Sequence, residues 1–492
     1  MNGKNEALSA ERKFKSSVEE AYEYIENFDI LETINNVGND EIFTPVKLCN
    51  EILDILPNEV WSNPNYKWLN PCDKNGVFLR EIAIRLDEGL KNVLINQEDR
   101  RKHILQNMLY SIGLTRFTSM VSRRTVYYCS HANQEYSKDE EGYAIGNGTW
   151  FDNVEGNIIT PVTNHIFDKS KKCIFCRTSN IGKYTDPNQI EHYAYEFIHI
   201  EKIEQHLQER FFRGEKMKFD IIIGNPPYQL SDGGAQSSAK PIYQLFVQQA
   251  KRLNPKYLTM IIPSRWMSGG KGLDQFREEM IEDKRISILH DYLDAKQCFP
   301  NNSITGGVCY FLWDKDHNEK CKIYRHDDKE HVSISTRFLK EKGIDILIRD
   351  EIQKDILEKV QTFGERSFSE IVSPRKPYGL SGDFIKNPTK YDLPPIQDTH
   401  FEESIEIIGV LSGKRVTKYL DKNYPIPKRV VNINKYKVFI NESDGAAGYI
   451  GNPLPAKILG TPVIGYPKQI CTETFLEIGP FESEKEAKRV MH

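Results

Sequence analysis

The stretch Phe219-Asp220-Ile221-Ile222-Ile223-Gly224-Asn225-Pro226-Pro227-Tyr228 joins a run of apolar residues to an abrupt turn. Residues 219–224 are typical of a buried strand, because branched apolar side chains follow one another without polar alternation. The prolines end the strand, since proline fixes its own φ and has no backbone N–H. Asn-Pro and Pro-Pro also punctuate ordinary loops, so a simple turn is the alternative interpretation of residues 225–228.

The residue types in this turn suit group transfer to an aromatic amine. Such an amine is a poor nucleophile because its lone pair is delocalised into the ring. The side-chain carbonyl of Asn225 and the backbone carbonyl of Pro226 can accept its two protons, which favours a pyramidal nitrogen whose lone pair is available. Pro226 and Pro227 hold the backbone rigid. Tyr228 is expected to stack on a base that has left the duplex, and the chemistry requires no metal.

Strands and helices alternate on both sides of this turn. Apolar runs predict strands, and apolar residues at helical spacing predict helices between them. Such alternation predicts an α/β fold with a doubly wound, mostly parallel sheet, whose ligand lies beyond the carboxyl ends of the strands. The predicted strands are 66–69, 108–112, 195–200, 219–224, 257–262, 286–291 and 307–313, and the predicted helices include 46–56, 77–86, 242–253 and 276–281.

The remaining sequence divides the chain into four parts. Residues 1–40 predict a helical lead, with apolar positions at helical spacing over 8–30. Residues 41–330 form the predicted α/β domain, interrupted at 129–190 by an irregular insertion rich in Asn, Gly, Ser, Lys and Thr. Residues 331–365 predict a helical connector, and 366–492 predict a separate mixed α/β domain. A helix predicted to start at Ser483 stops after about two turns. Either this helix is short, or the last domain is truncated.

Composition limits the classes of protein. Of 492 residues, 39% are hydrophobic and 28% charged, and no run of about 18 apolar residues predicts a membrane span. The N-terminus lacks the pattern of a secretory signal, and nine cysteines suit reduced thiols. These features predict a cytoplasmic protein with no membrane partner.

Net charge is −4, which excludes a globally basic nucleic-acid coat but not a local basic surface. Between residues 411 and 440 stand eight lysines and arginines against one acid, Asp421. A solvated surface with scattered lysines is the alternative to a DNA-binding stripe. The predicted contacts with DNA phosphates are Lys414, Arg415, Lys428 and Arg429.

The chain resembles the adenine-specific DNA methyltransferases of the gamma motif order, which include many restriction-modification methylases. Phe43-Thr44-Pro45 resembles their motif X, and residues 70–79, Asn70-Pro71-Cys72-Asp73-Lys74-Asn75-Gly76-Val77-Phe78-Leu79, resemble motif I. Residues 225–228 match motif IV, and Ile261-Ile262-Pro263-Ser264-Arg265-Trp266 resembles the segment that follows it. The resemblance covers about residues 40–315, and family members use the C-terminal domain for target recognition.

The resemblance implies a Rossmann-like methyltransferase sheet, S-adenosylmethionine as cofactor and double-stranded DNA as substrate. It also implies a restriction-modification or phage-defence system with a cognate restriction endonuclease. Asn225, Pro226, Pro227 and Tyr228 are the expected catalytic residues, and Arg265 is an expected DNA contact. The expected cofactor-binding residues are Phe43, Thr44, Pro45, Asn70, Pro71, Asp73, Gly76 and Glu201.

Motif I departs from the family pattern. Asn70 stands where an acid is usual, residues 73–75 replace most of the glycine turn, and Gly113 occupies the place of the acid that usually holds the cofactor ribose. Either Asp73 replaces the missing acid, or the site binds the cofactor poorly. Glu201 or His199, predicted at a strand end, is expected to face the cofactor adenine or else to be an ordinary surface residue.

Two further features belong to loops. Cys173 and Cys176 have the spacing of a structural zinc site, which Cys129 and His165 would complete, with His131 competing with His165. Two reduced cysteines without a metal are the alternative. The glycine- and serine-rich residues 229–240 are expected either to close over a flipped base or to serve as a flexible connection.

Two other functions remain open. The altered motif I is compatible with a catalytically impaired, methylase-like DNA-binding subunit. Asn-Pro-Pro-Tyr also occurs in methyltransferases that act on RNA or on a glutamine of a protein. In the glutamine enzymes the motif lies near the end of the chain, whereas more than half of this chain follows it, which favours DNA.

Overall fold

The chain folds as two compact units, Met1–Glu351 and Ile352–His492. The structure, a computed structural model, describes residues 42–129, 131–133, 137–138, 144–145, 150–177, 194–229, 240–302, 304–328, 330–428, 431–442 and 461–491. The predicted helix over 8–30 lies outside the described residues. Among the helices in these ranges, none combines the length and apolar character needed to cross a membrane.

The first unit alternates strands and helices as the sequence predicts. Its elements in chain order are α1 (Val46–Asp54), β1 (Trp68–Asp73), α2 (Val77–Gly89), α3 (Gln97–His103), β2 (Leu109–Gly113), α4 (Arg116–Tyr127), β3 (Ser137–Lys138), β4 (Ala144–Ile145), β5 (Ile158–Ile159), α5 (Glu196–His199), α6 (Ile203–Phe212), β6 (Ile221–Gly224), α7 (Tyr243–Arg252), β7 (Tyr257–Pro263), α8 (Asp274–Glu282), β8 (Ile286–Tyr292), β9 (Val308–Asp314), β10 (Cys321–His326) and β11 (Val332–Arg337).

Nine of these strands form one sheet in the order β11-β10-β8-β9-β7-β6-β1-β2-β5. The run from β5 through β2, β1 and β6 to β7 is parallel, while β9 runs antiparallel to both β7 and β8. The doubly wound, mostly parallel sheet is therefore confirmed. Because β1 and β6 are parallel neighbours, their carboxyl ends lie at one edge of the sheet.

The sheet buries both of its faces, which explains the continuous apolar runs. Ile221 and Ile223 belong to one apolar layer, while Ile222 belongs to the opposite one. Successive side chains of a strand point to opposite faces, so a strand covered on both sides needs apolar residues at every position. Helices α1 and α2 pack on the first layer, and α7 packs on the second.

One predicted element near the insertion is wrong, and one strand there is not predicted by the sequence. Residues 195–200 were expected to form a strand, but Glu196–His199 form the short helix α5. The strand beside β2 is instead β5, which lies inside the stretch that the sequence indicates as an irregular insertion. A two-residue edge strand has too little periodicity to be recognised, and an isolated run of apolar residues does not distinguish strand from helix.

The boundary between the units, after Glu351, lies within the predicted connector 331–365, but the first part of that connector is not helical. Residues 332–337, expected in a helical connector, form β11, which pairs antiparallel with β10 and so extends the large sheet. The described part of that connector contains one helix, α9 (Glu351–Gln361).

The second unit contains two three-stranded sheets, β13-β12-β16 and β15-β14-β17. Its elements are β12 (Ile405–Leu411), β13 (Lys414–Leu420), β14 (Tyr436–Asn441), β15 (Val463–Gly465), β16 (Gln469–Cys471), β17 (Phe475–Phe481) and α10 (Glu484–Met491). The short terminal helix predicted after Ser483 is present as α10. This unit has an apolar core of its own, which includes Tyr378, Phe384 and Phe439.

Candidate active site

The corner Asn225 to Tyr228 follows β6 directly, at the carboxyl edge of the sheet. Gly224 is required there, because a Cβ on this residue would lie 2.6 Å from Cys72 Sγ and 3.0 Å from Asn70 Oδ1. The absence of a side chain lets the end of β6 approach the end of β1 closely. Asn225 is 2% exposed, so its amide lies in an environment that excludes most water.

The amide of Asn225 is held in one orientation. Its Nδ2 donates to the carbonyl of Ile42 at 3.0 Å and to Thr44 Oγ1 at 3.1 Å. A rotated amide would place Oδ1 against the Ile42 carbonyl, where two acceptors would face each other. Oδ1 itself is buried and accepts no hydrogen bond from any described residue. The corner therefore presents a fixed acceptor without a partner.

The backbone carbonyl of Ile42 connects the three segments of the site: the segment before α1, the β1–α2 turn and the corner. Ile42 O also accepts from Lys74 Nζ at 2.7 Å, so the segment before α1 is tied both to the β1–α2 turn and to the corner. Thr44 does not cap α1, because that helix begins at Val46 with Pro45 as its N-cap and no side-chain capping bond. The Thr44 hydroxyl faces Asn225 instead. Phe43 is buried beside them, and Pro45 is half-buried.

Asp73 closes the turn between β1 and α2. Its Oδ1 accepts from the Gly76 amide at 3.0 Å, and its Oδ2 accepts from Ser111 Oγ at 2.8 Å and from Ser122 Oγ. Burial raises the pKa of this carboxyl, while the hydrogen bonds oppose that rise. Gly76 has φ +78°, a left-handed conformation that favours glycine. Asp73 thus closes the turn with Oδ1 and ties it to β2 and α4 with Oδ2.

The neighbouring Asn75 was missed as a site residue. Its Oδ1 accepts from the Val77 amide at 3.3 Å at the start of α2, but its buried Nδ2 has no partner among the residues described. The sequence offered one signal for Asn75: it is a polar residue in a turn where the related methyltransferases usually have glycines. Two unpartnered polar atoms, Asn75 Nδ2 and Asn225 Oδ1, therefore occur at the ends of the adjacent strands β1 and β6.

The other departures from the family pattern are packing features. Asn70 and Pro71 are residues of β1, and Asn70 Oδ1 accepts from the Cys72 amide at 3.2 Å. Gly113 ends β2, where a Cβ would lie 2.1 Å from Ser119 Oγ. The space that an acid would occupy after this strand is taken by Ser119, whose hydroxyl donates to the Thr115 carbonyl at 2.8 Å.

Tyr228 is packed more deeply than the sequence suggested. Its ring contacts Phe299 edge to face at 6.4 Å between centroids, and the side chain is 8% exposed. Burial raises the pKa of its hydroxyl, which has no hydrogen-bond partner within the described ranges. Residues 230–239 of the following loop lie outside those ranges, but a bridge between Gln229 and Pro241 joins its two ends.

Arg265 follows β7, the strand beside β6, in a short 3-10 helix over Ser264–Met267. Its side chain is partly buried, and its Nε has no partner in the described structure. Glu201 follows helix α5 rather than a strand, and its side chain is exposed. The strand-end placement expected for Glu201 and His199 is therefore wrong.

The expected metal ligands are only partly brought together. His165, Cys173 and Cys176 form one group with His199, and their ligand atoms all lie within 4.8 Å of one another. Cys129 is buried but does not belong to this group, and neither does His131. All nine cysteines fall within the described ranges, and none forms a disulfide bond.

Three lysines of the basic stripe in the second unit form ion pairs, and a fourth is buried. Lys418 pairs with Asp398 and Lys422 with Glu403, and Lys435 pairs with Glu482 at 2.6 Å. Lys437 is fully buried, and its ammonium donates to backbone carbonyls, including that of Gln469 at 2.9 Å.

Of the predicted DNA contacts, Lys414, Arg415 and Lys428 are exposed. Arg415 stacks its guanidinium over Phe475 at 5.1 Å from the ring centroid. Arg429 lies outside the described residues.

Comparison with known proteins identifies a matching family and a relative similar over most of the chain. The sequence profile of the Eco57I restriction-modification methylase family matches residues 107–299. An uncharacterized adenine-specific methylase of Mycoplasma pneumoniae is 43% identical over 372 residues, which cover 72% of this chain and 87% of the relative.

Among solved structures, the DrdV–DNA complex aligns with a TM-score of 0.44 at 11% identity, over 89% of this chain and 48% of the other. The Type IIL restriction-modification enzyme MmeI in complex with DNA aligns with a TM-score of 0.44 at 10% identity, over 89% and 59%. The chain thus spans about half the length of these two proteins. On the strength of its Mycoplasma relative, the chain belongs to the family of adenine-specific methylases.

Proposed function

We propose that this chain transfers the methyl group of S-adenosylmethionine to the exocyclic amine of adenine in double-stranded DNA. The observation that carries the proposal is the fixed amide of Asn225, whose Nδ2 is engaged by Ile42 and Thr44 while the buried Oδ1 lacks a partner in the described structure. A buried acceptor without a donor is unfavourable in the free protein, and an amine would satisfy it.

The corner acts by positioning and polarisation. Asn225 Oδ1 and the Pro226 carbonyl accept the two amine protons, which directs the nitrogen lone pair away from the ring. Pro226 and Pro227 hold the carbonyl in place, so little reorganisation is needed when charge develops. Burial of Asn225 strengthens these hydrogen bonds, because the effective dielectric constant is low away from water.

The described residues fit the cofactor at the end of β1. S-adenosylmethionine, when bound, supplies an electrophilic methyl group on a sulfonium sulfur. Asn75 Nδ2 is a buried donor without a described partner, in the place where a doubly wound sheet holds its ligand. A carboxylate or hydroxyl oxygen of the cofactor would satisfy this donor. Thr44 and Phe43 complete that side of the site.

The remaining partners follow from the family and from charge. We place DNA target recognition in the second unit, with Lys414, Arg415 and Lys428 as phosphate contacts. A cognate restriction endonuclease completes the proposed restriction-modification system, and a cytoplasmic location suits nine cysteines without disulfide bonds. The zinc ion predicted from Cys173 and Cys176 would serve the fold rather than the reaction, because the two acceptors at the corner need no Lewis acid.

The decisive experiment supplies labelled S-adenosylmethionine with DNA, RNA and protein substrates to the full chain. We expect label in DNA as N6-methyladenine, and we expect Asn225→Ala to lower kcat by roughly 100- to 1,000-fold, the effect of removing one preorganised hydrogen-bond partner. Asn318→Ala, a change of the same type at an exposed position of the first unit, should retain full activity.

Three outcomes would overturn the proposal. Label in RNA or in a protein glutamine would assign the corner to another amine or amide. Label in DNA that survives Asn225→Ala would remove the corner from the chemistry. Cofactor binding without transfer to any substrate would favour the non-catalytic DNA-binding subunit.

A further inference from the structure

His165, Cys173, Cys176 and His199 form a cluster of nitrogen and sulfur ligands apart from the methyl-transfer corner. The two cysteines and His199 are buried, and His165 is partly buried. Their ligand atoms lie within 4.8 Å of one another, and His165 Nδ1 is 3.6 Å from Cys176 Sγ. In a tetrahedral zinc site such atoms stand about 3.3–3.8 Å apart, given metal–ligand distances of about 2.0–2.3 Å. Binding would therefore need only a small contraction.

His199 provides a second, independent observation. Its Nδ1 lies 2.8 Å from the Tyr195 carbonyl, an acceptor, so Nδ1 carries the proton and donates. Nε2 is then an unprotonated acceptor, and it is buried without a hydrogen-bond partner in the described parts of the chain. Metal-bound histidines commonly donate their second ring nitrogen to a backbone carbonyl in this way.

The backbone around the cysteines is shaped for such a site. The Ile174 amide donates to the Ile166 carbonyl at 2.9 Å, and the Arg177 amide donates to the Cys173 carbonyl at 2.9 Å. These bonds hold Cys173 and Cys176 on one tight turn and bring the strand-like residues 165–167 alongside it. Arg177, directly after the second cysteine, has φ +61°, a left-handed conformation that is common at the end of a tight turn.

We propose that these four residues bind one structural zinc ion, with His199 in the place that the sequence assigned to Cys129. Two thiolates and two neutral imidazoles give Zn²⁺ a complex of zero net charge, which suits a buried site. All four positions of the tetrahedron are filled by protein, so no position remains for water or substrate. Such a closed site is structural rather than catalytic.

The ion would join two segments that are distant in the chain. His165, Cys173 and Cys176 belong to the loop after β5, while His199 ends helix α5. Gln249 of α7 donates to the carbonyls of Phe197 at 3.1 Å and Ile200 at 2.9 Å, which attaches α5 to the helix that follows the corner. The zinc ion would therefore fasten the loop to the apolar layer formed by α5 and α7.

Metal analysis of the full chain, purified without chelator, tests the proposal. We expect one zinc ion per chain, and we expect Cys176→Ser and His199→Ala each to lose it. Cys129→Ser is the matched control, which should retain one zinc ion per chain. Because ligand variants can misfold, the wild-type chain should also be exchanged with Co²⁺, whose absorption spectrum reports thiolate ligation and tetrahedral geometry.

The measurement separates the alternatives. A folded wild-type chain that contains no zinc and takes up no Co²⁺ with thiolate absorption would overturn the site. Loss of zinc in Cys129→Ser together with retention in His199→Ala would restore the ligand set expected from the sequence. Chelation should lower the melting temperature of the wild type and leave that of His199→Ala unchanged.

Discussion

Asn225 Nδ2 donates to Thr44 Oγ1 at 3.1 Å, across 181 residues of chain. The hydroxyl of Thr44 thereby helps to hold the amide so that Oδ1, rather than Nδ2, is presented to a substrate. Without this hydroxyl, only the Ile42 carbonyl would hold Nδ2. That carbonyl also accepts from Lys74 Nζ, so it is shared between two donors. The segment Phe43-Thr44-Pro45 therefore acts on the orientation of Asn225 in addition to its expected contact with the cofactor.

Replacement of Thr44 by valine removes this hydroxyl at nearly constant volume. We expect kcat to fall by roughly two- to tenfold, because a neutral hydrogen bond contributes about 0.5–1.5 kcal/mol. Steady-state methylation kinetics would measure the change, with Thr44→Ser expected to preserve activity. Thr125→Val, which removes a hydroxyl bonded only within α4, serves as control. An unchanged kcat in Thr44→Val would show that the hydroxyl does not hold the amide.

Asn75→Asp keeps the oxygen that accepts from the Val77 amide and removes the unpartnered Nδ2 donor. We expect the Kd for S-adenosylmethionine to rise about tenfold or more, since hydrogen bonds to charged groups contribute about 1.5–3 kcal/mol. Titration calorimetry measures this constant, and Asn318→Asp repeats the charge change at an exposed position. Equal affinity in the two variants would exclude Asn75 from the cofactor site.

Asp73→Asn tests whether the carboxylate holds the turn or replaces the missing acid of motif I. We expect the free energy of unfolding to fall by about 1–3 kcal/mol, because Ser111 and Ser122 lose a shared acceptor. Denaturant titration measures this loss, and exposed Asp316→Asn should show little change. Weaker cofactor binding at unchanged stability would instead assign Asp73 to the cofactor.

The acid-paired lysines of the second unit should matter less for DNA binding than the exposed ones. Lys414→Ala and Lys428→Ala should each weaken DNA binding and reduce the salt dependence of the affinity by about one unit of slope. Lys418→Ala and Lys422→Ala should have smaller effects, since Asp398 and Glu403 already neutralise these residues. Binding measured over a range of salt concentrations compares the four variants. Equal effects in all four would contradict the distinction.

The sequence determined the features that depend on neighbours in the chain. The apolar run 219–224 and the two prolines after it fix a buried strand with an abrupt end, and the alternation of such runs with helical spacing fixes the doubly wound sheet. These patterns are local because strand and helix periods, proline geometry and turn preferences act over a few residues.

Only the tertiary structure decided which distant polar groups meet. It brought Thr44 to Asn225, gave His199 rather than Cys129 to the cluster with Cys173, and paired Lys418 with Asp398. Those choices depend on how the strands, helices and loops of each unit pack, which places residues far apart in sequence within hydrogen-bond distance. The spacing of residues along the chain does not reveal such distances. The sequence therefore indicates which chemical groups are available, and the fold determines which of them interact.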